Sequence, residues 1–256
     1  RLCREHGLEG VVAVGGGSTI DCSKAIAEAA AYDGDAWDLV LKKAPITKVL
    51  PVFSVLTLAA TGSEMDCGAV ISNMDTNDKL VITHPDARPK ASILDPTYTY
   101  TVSAYQTAAG TADIMSHILE TYFSRVSTAG LQDRMAEALL KTCIQYGPIA
   151  CNDPANYEAR ANLMWTSSLA INGLLSLGKG TPWSVHSMEH ELSAYFDITH
   201  GVGLAILTPA WMRYVLDDSS VDKFAEYAFN VWNIPMSDDR YAMAHEAIDR
   251  TQQFFT

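Results

Sequence analysis

Long apolar runs are missing from this sequence. None approaches the roughly 20 residues that a bilayer-spanning helix requires, which excludes a helical membrane span. Basic residues are also in short supply: 18 Lys and Arg stand against 30 Asp and Glu, a formal net charge of −12. A nucleic acid or an anionic membrane needs a basic face, so neither is expected as a partner, while a small molecule stays open. Paired cysteines are lacking too. Cys3, Cys22, Cys67, Cys143 and Cys151 are scattered, odd in number and without a Cys-x-x-Cys spacing. That argues against a disulfide framework and for a reduced, cytoplasmic setting. The opening "RLCREHGLEG" has no methionine and reads as the middle of a helix, so the natural chain is expected to extend beyond both ends.

What the sequence does hold is enough apolar material for a large core. It has 256 residues and is 48% hydrophobic; a chain of this size exposes roughly 40,000 Å² unfolded and roughly 11,000 Å² folded. Strand and helix signals alternate through the first hundred residues. "GVVAV" (10–14), "VLPVFSVL" (49–56), "KLVIT" (79–83) and "ASILD" (91–95) are short β-branched runs. Separated by helical stretches, they predict buried strands of a mainly parallel sheet. From about residue 103 the texture changes to Ala, Leu and Met. Segments 104–126, 128–147, 155–177, 184–196, 202–216, 219–232 and 239–255 read as helices broken at Gly or Pro. Residues 1–103 are therefore expected to form an α/β unit and 104–256 an all-α unit.

"VVAVGGGSTID" sets Gly15, Gly16 and Gly17 between a strand and a helix that Ser18 can cap, with Asp21 as its capping-box partner. Glycines let backbone approach a ligand closely, and free N–H groups at a helix start attract pyrophosphate. The pattern is not Gly-x-Gly-x-x-Gly, and a plain tight turn is the alternative. A second small-residue segment, "LAATGSEMD" (58–66), follows a strand, where Thr57, Thr61, Gly62 and Ser63 could line the same ligand.

Histidine is scarce, seven in all, yet His186, His190 and His200 fall within "WSVHSMEHELSAYFDITHG". His186 and His190 are four apart and share a helix face. In "GTADIMSHILE", Asp113 and His117 repeat that spacing. Asp113, His117, His186 and His200 would offer one oxygen and three nitrogens, a set suited to a divalent first-row metal such as Fe²⁺ or Zn²⁺. "HSMEH" also matches the His-x-x-Glu-His of zinc peptidases, which would make Glu189 a general base. That zinc-hydrolase reading stays open, though it leaves the glycine loop and the Asp113/His117 pair unexplained. Trp183, Phe196 or Trp211 could bound a substrate pocket, though the sequence alone does not place them.

Taken together, "GGGSTID", "TGSE", "ILDPTYTYTV", "GTADIMSHILE" and "HSMEHELSAYFDITHGVGLAILTP" resemble the iron-containing (group III) alcohol dehydrogenases, and within them the NAD(P)H-dependent butanol dehydrogenases. The resemblance runs over essentially the whole chain. It implies a dehydroquinate synthase-like architecture: an α/β dinucleotide-binding domain, incomplete at its N-terminus, then a helical metal-binding domain. It also implies metal ligation by Asp113, His117, His186 and His200, and His190 beside the nicotinamide. Gly16, Gly17 and Ser18 would hold the pyrophosphate, with Thr57, Thr61 and Lys79 at the nicotinamide half. Fe²⁺ or Zn²⁺, NADP or NAD, a small alcohol or aldehyde substrate and a homodimer follow from the same resemblance. A truncated chain that binds metal or nucleotide without turnover is a further alternative. Asp66 stands where the branch carries Asn, and its carboxylate is expected to repel a cofactor ribose or phosphate.

Overall fold

The computed structural model describes residues 2–256. Helix α1 (Leu2–Glu5) leads into strand β1 (Val11–Gly15), followed by α2 (Gly17–Ala29), α3 (Ala36–Val40) and β2 (Val52–Leu56). A hairpin of β3 (Gly68–Asn73) and β4 (Asp78–Thr83) precedes β5 (Ala91–Ile93). The parallel sheet runs β1-β2-β5, with Val11 opposite Val52 and Phe53 opposite Ala91. Alternation along each strand decides what is buried. Ala13 and Leu56 point under α2 and meet Ile20 and Met164, whereas Val12, Val14 and Phe53 point the other way and are exposed. The strands expected to be buried throughout are thus buried on one face.

The "KLVIT" segment does not join that sheet. It forms β4, antiparallel to β3, with Ser72 opposite Lys79. Residues 68–73 escaped notice because Gly, Ser and Asn interrupt their β-branched pattern. The hairpin is fastened to α2 by buried polar groups. Lys24 Nζ donates to Gly68 O at 2.8 Å and pairs with Asp66, while Asp21 accepts from Val70 N at 2.8 Å and from Ser63 Oγ. Asp21 is therefore no capping-box partner. Helix α2 starts two residues earlier than expected, with Gly16 as its N-cap and no side-chain cap, and Ser18 lies exposed on the first turn. Asp66 likewise does not meet the repulsive role expected of it: its carboxylate is the counter-charge of Lys24, whose side chain is fully buried. Burial pushes Asp66 up to about 6, with Lys24 opposing.

The remaining helices are α4 (Ala104–Tyr122), α5 (Gly130–Asn152), α6 (Tyr157–Ile171), α7 (Ser184–Phe196), α8 (His200–Val215), α9 (Val221–Trp232) and α10 (Arg240–Phe254). All seven helical segments read from the sequence are present, with ends shifted by a few residues. Ser103 caps α4, its hydroxyl accepting from Gln106 N at 3.2 Å. From Ala109 to Tyr122 this helix is buried on every side, so it forms the axis of the helical unit. Met115, Ile118 and Leu119 are fully buried, each worth roughly 1.5–3 kcal/mol of apolar burial. Two glycines let neighbours approach α4 closely. A Cβ on Gly110 would sit 2.8 Å from Ala59 O, and one on Gly201 would sit 1.9 Å from Ala109 O. The first contact brings the segment after β2 against α4; the second brings the start of α8 against it. Among the described residues, no helix is long and apolar enough to cross a membrane.

Candidate metal centre and dinucleotide cleft

Three helices converge on one point. Asp113 and His117 project from the same face of α4, His186 comes from the first turn of α7, and His200 is the first residue of α8. The chain reverses between α7 and α8 through Asp197, which is left-handed at φ 51° and donates its N–H to Ser193 O. That reversal returns His200 beside His186. From Asp113 Oδ1 the distances are 3.6 Å to His117 Nδ1, 3.6 Å to His186 Nε2 and 3.7 Å to His200 Nε2. Four donors placed tetrahedrally about 2.1 Å from a shared cation would lie about 3.4 Å apart, so the spacings suit a common centre. Asp113, His186 and His200 offer donors that all lie within 4.8 Å of one another. His117 stands at the edge of this trio, its ring stacked on His186 with centroids 4.4 Å apart.

The hydrogen bonding around the centre is incomplete in one respect. Asp113 Oδ1, His117 Nδ1 and His186 Nε2 are buried and lack a hydrogen-bond partner. Buried polar atoms are almost always paired, so three orphans facing each other are donors that a shared cation would satisfy. Electrostatics agrees. Burial pushes His117 down to about 3, with the surrounding imidazoles adding to that and Asp113 opposing, which keeps the ring neutral with a lone pair to give. Burial works against ionising Asp113, yet His117, His200 and His186 outweigh it and hold the carboxyl well below its usual range.

Behind the donors lie two carboxylates that the sequence reading did not assign to this role. Glu120, one turn beyond His117 and fully buried, meets His186 Nδ1 and accepts from Val185 N at 2.7 Å and His186 N at 3.3 Å. It directs Nδ1 outward and leaves Nε2 facing the centre. Burial alone would lower His186, but the nearby Asp113 carboxylate and the Glu120 contact at Nδ1 raise it to about 9. Glu189, also fully buried, does the same for His200 through Nδ1. It also accepts from Ser193 Oγ, and from Lys79 Nζ at 3.3 Å. Glu120 stands at i+7 from Asp113 and i+3 from His117, so the sequence sets it on their face of α4 without saying what it meets there.

The glycine loop opens onto the same place. Gly16, Gly17, Ser18 and Thr61 line a cleft of about 330 Å³ that continues to Gly110, Asp113 and His200. The amides of Gly17 and Ser18 belong to the first turn of α2, where no carbonyl within the helix can accept from them. Gly17 also has a packing reason to be glycine, because a Cβ there would lie 2.4 Å from the Thr61 side chain. Thr57 is not in the cleft lining; its amide donates to Gly15 O at 3.0 Å and extends the β1–β2 pairing. Lys79 arrives from β4 on another side, 3.4 Å from His200 Nδ1. His190 lies beside the donors, its ring 5.6 Å from that of His200, and burial together with Lys79 pushes it down to about 3. A larger cavity of about 890 Å³ lies between α4, α5 and α8, but no carboxylate or imidazole lines it among the described residues.

Residues 107–256 match the profile of the Fe-containing alcohol dehydrogenase family, C-terminal, and residues 1–96 match that of iron-containing alcohol dehydrogenase. The chain belongs to the iron-containing alcohol dehydrogenase family. It is 66% identical over 255 residues to NADH-dependent butanol dehydrogenase B of Clostridium acetobutylicum, covering 100% of this chain and 65% of that protein. To the NADPH-dependent aldehyde reductase YqhD of Escherichia coli it is 41% identical over 259 residues, again covering 100% of this chain and 66% of the relative. The crystal structure of NADH-dependent butanol dehydrogenase A from Thermotoga maritima superposes with a TM-score of 0.95 at 38% identity, over 99% of this chain and 63% of that one. The iron-containing alcohol dehydrogenase chain described here thus spans about two thirds of the length of its curated relatives.

Membership changes the weight of the "HSMEH" motif. A hydrolase would need Glu189 free to take a proton from water. In this iron-containing alcohol dehydrogenase chain both Glu189 oxygens are engaged, Oε1 by Ser193 and Oε2 by His200 and Lys79. His190, the second histidine of the motif, groups with Glu189 and His200 and not with the Asp113 trio. The aromatic expectations divide. Trp183 stands against His117 and His186, Trp211 is buried in the helical core beside Phe123, and Phe196 is exposed.

Proposed function

We propose that this chain belongs to an enzyme that transfers hydride between a nicotinamide dinucleotide and a small aldehyde or primary alcohol. Asp113, His117, His186 and His200 would hold a divalent first-row cation, Fe²⁺ or Zn²⁺. The observation that carries the reading is the trio of orphaned buried donors at the end of a cleft that runs from the glycine loop to Asp113 and His200. The division of labour follows the boundary at 103/104, with dinucleotide contacts before it and cation ligands after it. When bound, the cation supplies Lewis acidity toward an alcohol or carbonyl oxygen, and the nicotinamide supplies or takes the hydride.

The chain's own residues do the rest. Gly16, Gly17 and Ser18 set the first-turn amides of α2 toward the pyrophosphate. Thr61 and Lys79 flank the nicotinamide half, and Thr57 supports them through the strand pairing that sets the loop. Glu120 and Glu189 keep His186 and His200 turned toward the centre. His190, neutral at pH 7, accepts the alcohol proton on oxidation and returns it on reduction. NADH is the first cofactor to test, because the relatives at 66% and 63% identity are named NADH-dependent. A homodimer in a reduced cytoplasm completes the proposal, in keeping with five unpaired cysteines.

The test is a 340 nm assay of the full-length enzyme with NADH, butanal and added Fe²⁺ or Zn²⁺. Cation-dependent loss of absorbance is expected, and none at all would refute the proposal. Two variants probe the roles. His190→Ala should keep its cation, measured by elemental analysis, and slow turnover by about 10²–10⁴-fold, the usual share of a general acid–base group. Glu120→Gln should weaken cation binding by about 10–100-fold, as expected for a carboxylate that orients a ligating imidazole, read by titration calorimetry with Zn²⁺.

A further inference from the structure

The segment joining α6 to α7, residues 172–183, carries three glycines in the left-handed region: Gly173 at φ 97°, Gly178 at φ 79° and Gly180 at φ 77°. A Cβ on any of them would meet nothing within 4 Å. Backbone direction, not packing, therefore demands glycine there. The segment is fastened along its length. Leu175 enters the helical core, Lys179 pairs with buried Asp133 and reaches Tyr122 O at 3.4 Å, and the Thr181 and Thr121 hydroxyls are 2.7 Å apart. This path delivers Trp183, which is itself left-handed at φ 55° and ψ 34°. Bulky side chains seldom adopt that conformation, and it persists where the surroundings enforce it.

The indole stands edge-on to two donors at once. Its centroid is 5.9 Å from His117 at an interplanar angle of 83° and 5.1 Å from His186 at 85°. Trp183 is 36% exposed, whereas His117 and His186 beneath it are 4% and 6% exposed. The dinucleotide cleft reaches the centre through other residues, Asp113 and His200, and Trp183 does not line it.

We propose that Trp183 is a positioning residue that closes the solvent side of the cation centre. Its ring holds the stacked His117–His186 pair in place and excludes water from that side, so an incoming oxygen reaches the cation from the dinucleotide cleft. This rests on the proposed function, because it assumes that the four donors bind a cation. Removing the ring lets water reach the donors, and a bound cation then gains water ligands and loosens.

Cobalt(II) is the probe, because its visible absorption weakens several-fold when four-coordinate sites gain ligands, whatever the activity. Full-length wild type, Trp183→Phe, Trp183→Ala and the exposed-strap control Leu177→Ala are each titrated with Co²⁺. Expected are an intense spectrum for wild type, Leu177→Ala and Trp183→Phe, and for Trp183→Ala a several-fold weaker spectrum with at least tenfold weaker binding. A Trp183→Ala protein with wild-type intensity and affinity overturns the assignment of Trp183 and leaves the centre intact. A wild type that binds no Co²⁺ overturns the proposed centre itself. If Trp183→Ala does not fold, Trp183→Leu is read against the same outcomes.

Discussion

His186→Ala is expected to abolish cation binding and turnover together. On the scale of structural four-ligand zinc sites, roughly 10–16 kcal/mol, one ligand's share is about 2.5–4 kcal/mol, or about 10²–10³ in affinity. The true loss should exceed that share, because His186 does more than donate. Its ring stacks on His117, and its Nδ1 occupies Glu120. Without the ring, Glu120 keeps its backbone partners Val185 N and His186 N but becomes a buried carboxylate with one strong partner fewer. Elemental analysis after dialysis should find no retained cation, and the 340 nm assay should fall to background. Full activity in this variant would refute the donor set.

Gly201→Ala should have an effect that no donor count would suggest. The new Cβ would lie 1.9 Å from Ala109 O, 2.5 Å from Ala109 C and 3.0 Å from Ala109 Cα. All three are backbone atoms, so no rotamer change relieves the clash. The start of α8 must back away from α4 by roughly 1 Å. Overpacking of this kind costs about 1–3 kcal/mol, and the upper end is expected because helix axes must part. A melting temperature lower by about 6–12 °C follows for a chain of this size. His200 is the neighbouring residue and must travel with the helix, while Asp113 stays on α4. Cation sites tolerate only about ±0.2 Å in ligand distance, so affinity should collapse although every donor is present. Thermal melting and Zn²⁺ titration on the same preparation check both halves; unchanged cation affinity would contradict the geometry.

The helical unit was legible because its segments are rich in Ala, Leu and Met, nearly lack β-branched runs and break at Gly or Pro. The donors were legible because scarce histidines stood at helical spacing, twice. What escaped depends on partners far apart in the chain. Glu120 gains its role when α7 lies across the end of α4, 66 residues later, and no local motif announces that. Glu189 was visible, but in a motif that suggested a base; burial and its ties to His200, Ser193 and Lys79 make it an orienting group instead. Asp21 was read against its immediate surroundings, as a capping-box partner, and Asp66 against the pattern of the family branch, as a cofactor repellent. Both are spent on fastening the β3–β4 hairpin to α2. Strand burial was overestimated because a β-branched run looks alike whether one face is covered or two.

The hairpin gives the molecule an asymmetry. Every proposed cation donor and the two carboxylates behind them are rooted in the helices after residue 103, whereas the glycine loop and Lys79 are rooted before it. Loosening the seam between these regions would strip Lys79 from Glu189 and pull the glycine loop from α4, yet leave the donors on their own frame. An ion could then stay seated in a molecule too splayed to grip its dinucleotide. Retained metal would testify to an intact bundle, and only nucleotide affinity would testify that the two parts are shut.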